Sequence, residues 1–154
     1  MPLSPLDQVT NNLDTAMLDA AEFEAQYGKR AVAFLRNLPG LFRLYRRLPY
    51  DFELPTELRR LAAAIALYIA EHQDFLDDAS RNVGGLIDDL WLAYAALPRF
   101  LEGASEELVE RHWRSDQDFS EVLALAENAS DLKQHVPSKV LERLNRYLDD
   151  ATSP

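Results

Sequence analysis

Residues 61–101 read LAAAIALYIAEHQDFLDDASRNVGGLIDDLWLAYAALPRFL. Two apolar runs flank a carboxylate-rich stretch. The first, Leu61 to Ala70, is unbroken but too short to cross a bilayer, which takes roughly 20 apolar residues. It reads instead as the middle of a core helix over 57–75. The second helix runs from about Leu86 to Leu101. Both are apolar nearly all the way round, and helices of that kind sit inside a bundle. The segment DDASRNVGG makes the turn, so 57–75 and 86–101 form a buried central hairpin.

Working outward, the remaining segments also carry helical spacing. A first helix is expected over about 13–27, with Met17, Leu18, Ala21 and Phe23 on its apolar side and Gly28 closing it. Residues 31–48, AVAFLRNLPGLFRLYRRL, alternate apolar and basic side chains. Pro39-Gly40 interrupts them, which predicts two short helices or one kinked one. Thr56 precedes ELRR in an N-cap pattern. Gly103 ends the second core helix and Ser105-Glu-Glu starts a short segment to about Trp113. Residues 115–118 cap FSEVLALAENA, and Pro137-Ser138 opens KVLERLNRYLDD. No strand pattern competes. The expectation is a single all-α domain over 1–154, a compact helical bundle of about six or seven helices around the buried hairpin.

Composition narrows the classes of function. The 154 residues include no cysteine, so disulfides, thiolate metal sites and cysteine nucleophiles are excluded, and a reducing compartment fits. The amino-terminal stretch has no basic start followed by an apolar run, so a cytoplasmic protein without a signal peptide is expected. A net charge of −10 opposes nucleic acid at long range. The charge is uneven. Residues 29–60 hold eight basic and three acidic side chains, leaving that window at +5 and the rest of the chain at −15.

Two clusters are candidates for function. Asp74 and Asp78 are four apart, while Asp88 and Asp89 fall in the first turn of the next helix. A hairpin brings the pairs together, and hard cations such as Mg²⁺ or Ca²⁺ take several oxygen ligands at such a place. The simpler reading is structural, since first-turn carboxylates complement the helix dipole. Asp88 shares a face with Leu92 and Ala95. It is therefore expected to be partly buried and to need a partner among Arg59, Arg60, Arg81 and His72, with Asp89 on the other side. The second cluster is Arg36, Arg43, Arg46 and Arg47. Set among Leu, Phe and Tyr they suit an interfacial helix. The simpler expectation is that they serve the protein's own acidic surface or are solvated, because the apolar side of the stretch is needed for the core.

No G-x-S-x-G, phosphate loop, dinucleotide fingerprint or H-E-x-x-H occurs. The histidines, His72, His112 and His135, stand far apart in sequence. Trp91, Tyr94 and Phe100 are expected in the core, with Trp113 partly exposed.

Residues 59–97 resemble the YkvA-like family, a widespread bacterial domain of unknown function. The likeness rests on Tyr68 ending an apolar helix, on the spaced Asp74 and Asp78, and on Gly85-Leu-Ile-Asp88-Asp89 leading into a second apolar helix. The family's prolines are replaced here by His72, Asp77 and Arg81. The resemblance implies a helical hairpin module with no assigned activity, some of whose members attach to membranes. Together these readings favour a non-enzymatic interaction or regulatory module with a protein partner and no cofactor. A cation-binding protein or metal-dependent enzyme built on the aspartates, and a peripheral membrane protein docking through 36–47, are the alternatives.

Overall fold

The computed structural model describes residues 24–25, 27–75 and 84–152, with side chains over 24–25, 27–70 and 87–151. The expected helix over 13–27 lies mostly outside them. Its end is visible. Gly28 donates its N–H to the Glu24 carbonyl at 2.7 Å and has φ +92°, a conformation that favours glycine.

The described residues form an all-α bundle. Its helices are α1 (Lys29–Arg36), α2 (Leu38–Arg47), α3 (Thr56–Phe75), α4 (Gly84–Gly103), α5 (Glu106–Glu110), α6 (Phe119–Glu127), α7 (Ser130–Lys133) and α8 (Ser138–Thr152), with a 3-10 turn at Leu48–Tyr50.

Helix α4 is the axis of the bundle. It packs against α2, α3, α5, α6, α7 and α8. Leu90, Leu92, Ala93, Tyr94, Ala96, Leu97 and Phe100 are all fully buried, as the apolar run predicts. Helix α3 departs from the expectation. Arg60, Ala63 and Leu67 form an exposed stripe at spacing i, i+3, i+7. Alanine is indifferent to burial, so an Ala-rich helix reads as apolar all round while one side meets water.

The break between α1 and α2 falls at Asn37, two residues before Pro39. Pro39 occupies the first turn of α2, where its missing N–H costs nothing. Asn37 is fully buried and its amide donates to the Ala33 carbonyl at 3.0 Å, closing α1. Gly40 then lies within α2 and lets the Trp113 ring pack directly on the helix. A Cβ there would fall 2.5 Å from the ring's Cη2.

Other ends follow local chemistry. Ser105 Oγ accepts from the Leu108 N–H at 3.1 Å, capping α5. At α3 the cap carbonyl is that of Pro55, which accepts from Leu58 and Arg59. The Thr56 hydroxyl accepts from the Arg59 guanidinium and not from a backbone amide.

Three tyrosines tie the helices together through backbone carbonyls. Tyr45 of α2 donates to Ala93 of α4, and Tyr94 of α4 to Phe34 of α1 at 2.9 Å. Tyr147 of α8 donates to Ala64 of α3 at 2.7 Å. Burial pushes the Tyr45 and Tyr94 hydroxyls well above their ordinary range, so both stay protonated donors.

Candidate functional site

The aspartates come first. Asp74 belongs to the last turn of α3 but its side chain, like the whole of Asp78, lies outside the described residues. Asp88 and Asp89 separate on α4. Asp89 is 0% exposed and continues the inner stripe Ala93, Ala96, Phe100. Asp88 is half-buried and begins the outer stripe Ala95, Arg99, Glu102. Asp88 is partly buried as expected, but Asp89, expected on the other side with less at stake, is the one that is fully buried. Ala95, which shares a face with Asp88, is itself on the outer side.

Their surroundings are polar and aromatic. Tyr68 of α3 is held by burial, then by the nearby charges of Asp89 and Asp88, at a pKa of about 12. The charge of Arg143 on α8 offsets part of that. The Tyr68 and Tyr147 rings lie 5.2 Å apart. Arg143, not one of the four residues expected, is thus a cation of this neighbourhood. Arg59 stacks its guanidinium over Phe52 at 5.0 Å instead. Among the described residues no three carboxylates or histidines gather as cation ligands would.

The basic residues behave differently. Leu41, Phe42, Leu44, Tyr45 and Leu48 are fully buried. Arg43, Arg46, Arg47 and Tyr50 fall on the opposite side, at i, i+3, i+4 and i+7. They line a cleft of about 330 Å³ whose other wall carries Arg114, from the segment after α5. Arg36 is elsewhere. It faces Glu121 of α6 at 4.0 Å.

One hydrogen bond, one ion pair and one ring hold the walls together. Asp51, next to Tyr50, accepts from His112 Nε2 at 2.6 Å, and both are largely buried. That hydrogen bond, then the one from the Glu53 N–H, keeps the Asp51 carboxyl below the usual carboxylate range. Glu53 pairs with Arg111 at 2.8 Å. Trp113 sits on Gly40 and donates Nε1–H to the Gln117 carbonyl at 2.7 Å. Arg114 donates to the carbonyls of Arg111 and Trp113 at 2.8 and 2.9 Å. The segment 111–114 is thereby clamped to 51–53 and to α2.

Sequence reasoning missed Arg114 and the Asp51–His112 pair, which join residues about 60 positions apart and leave no local signal. Tyr50 was within reach, one helical repeat beyond Arg43.

A second, smaller cavity of about 260 Å³ lies at the start of α1, lined by Tyr27, Lys29, Arg30, Asp131 and His135 among others. Arg30 faces Asp131 at 3.7 Å, and His135 meets the Tyr27 ring edge-on at 5.0 Å. Among the described residues no helix is long and apolar enough to cross a membrane.

Comparison with known proteins finds no family model that matches the chain, and no match among curated proteins or solved structures.

Proposed function

We propose that the protein is a non-enzymatic interaction module, a helical protein of the YkvA-like kind, whose working surface is the arginine cleft beside α2. The cleft takes an anionic group presented by a partner. One observation carries this reading: four arginines from two distant segments share one cleft on a chain of net charge −10.

Gathering like charges costs Coulomb energy, and a structure that clamps them together has a use for their combined field. Guanidinium groups present planar, fork-shaped donors that match phosphate and carboxylate oxygens, which ammonium groups do not. The absence of catalytic signatures in the sequence supports binding over chemistry.

Inorganic pyrophosphate is the probe. Its binding to the folded state alone raises the melting temperature. Wild type is expected to melt higher in pyrophosphate than in chloride at equal ionic strength, and Arg46→Ala/Arg47→Ala to lose most of the increment. A wild-type melt that does not move, or an equal rise in the variant, would sink the reading.

A further inference from the structure

The cleft has neighbours that a small soluble anion does not need. Tyr50 and Phe52 are 81% and 84% exposed, and they stand two residues apart in the loop that leaves the cleft. The loop around them is not loose. Asp51 is fixed to His112, and its Oδ1 accepts from the Glu53 N–H at 2.9 Å. The Leu54 N–H bonds the Asp51 carbonyl at 3.1 Å, and the Leu54 side chain is buried. The inward residues are anchored, so the two rings are held out in water by design of the loop. Arg59 covers one side of Phe52.

We propose that the anionic partner is a phospholipid membrane surface. A lipid phosphate enters the arginine cleft, and the Tyr50 and Phe52 rings lie at the level of the headgroups. This rests on the anion-binding reading of the cleft.

Aromatic rings with arginine beside them settle at the membrane–water boundary, where an apolar body and a polar tip are both satisfied. Arginine side chains bury their stems while the guanidinium stays with phosphate. Asp51, between the rings in the chain, is bound to His112, and Glu53, next to Phe52, is tied to Arg111 at 2.8 Å, which reduces their repulsion of an anionic surface. The remaining negative charge of the chain acts only within the screening length, about 8 Å at physiological salt. An acidic protein segment would satisfy the arginines but gives no reason for two projecting rings.

The test is co-sedimentation of the whole chain with phosphatidylcholine vesicles, with and without phosphatidylserine, beside a pyrophosphate titration. Variants are Arg43→Glu/Arg47→Glu and Phe52→Ala, with circular dichroism to show each is folded. Phe52 is exposed, so its loss leaves the fold unchanged.

Wild type is expected to pellet with phosphatidylserine vesicles at low salt and to release as salt rises. The double arginine reversal is expected to weaken partitioning about tenfold or more, and Phe52→Ala severalfold without altering pyrophosphate binding. Three results overturn the proposal. One is equal pelleting with both vesicle types. Another is vesicle binding indifferent to Phe52→Ala. The third is pyrophosphate binding without any vesicle binding, which leaves the anion reading intact and removes the membrane. Absence of both kinds of binding removes both readings.

Discussion

Replacing Gly40 with alanine should destabilise the protein, although alanine is the better helix former. Glycine to alanine in a helix ordinarily gains up to about 1 kcal/mol. Here the new Cβ would lie 2.5 Å from Trp113 Cη2 and 3.1 Å from both Cζ2 and Cζ3. Carbon atoms rest at about 3.5–4.0 Å, so the ring must retreat by about 1 Å. It cannot do so freely, being held by its bond to Gln117 and by Phe119 at 5.6 Å between ring centres. Overpacking of this kind costs about 1–3 kcal/mol, which offsets the propensity gain and leaves a net loss of up to about 3 kcal/mol. In a Trp113→Ala background the obstacle is gone, and the same substitution should gain up to about 1 kcal/mol. Urea unfolding of the four proteins of this cycle measures the coupling. A stabilising Gly40→Ala in wild type, or the same sign in both backgrounds, would refute the packing argument.

Asp89→Ala is expected to cost about 1–3 kcal/mol, since it empties a fully buried position on the inner stripe of α4, and Asp88→Ala less than 1 kcal/mol. Chemical unfolding that ranks them the other way contradicts the burial described for α4. Asp51 titrates below its ordinary value of 3.8 in the folded protein. Its contribution is therefore fully present above that value and disappears as pH falls through the depressed folded pKa. The stability gap between wild type and Asp51→Asn should close on acidification across that window, and a gap constant with pH would show that the pair contributes nothing. Asp88 and Asp89 lie on different sides of α4, so Mg²⁺ or Ca²⁺ should leave the melting temperature where chelator sets it. A rise that Asp88→Ala abolishes would restore the cation site.

The fold was legible because long apolar segments admit few alternatives. The run at 86–101 has only a narrow outer stripe, which includes Asp88, Ala95 and Arg99, on which to meet water, and it is the bundle's axis. What escaped reading has physical causes. Alanines at 63 and 95 carry no preference between core and surface, so the outer stripes of α3 and α4 were hidden. Pro39-Gly40 reads as a helix break, yet proline is at home in a first turn and the glycine serves Trp113. The break sits on Asn37, whose amide caps α1. One wall of the arginine cleft could be read as a helical repeat of Arg43, Arg46 and Arg47. The other wall could not. Arg114 reaches the cleft only because Asp51, Glu53 and Gly40 meet His112, Arg111 and Trp113, and each of those contacts spans more than 50 residues.

The arginine side-chain N–H signals of labelled protein, followed by NMR as pyrophosphate is added, test whether the cleft is the working surface. Arg43, Arg46, Arg47 and Arg114 should shift together along one saturating curve. Arg30 and Arg99, which face Asp131 and Asp149 elsewhere on the surface, should stay in place. Shifts spread evenly over all arginines, or none at Arg114, would contradict it.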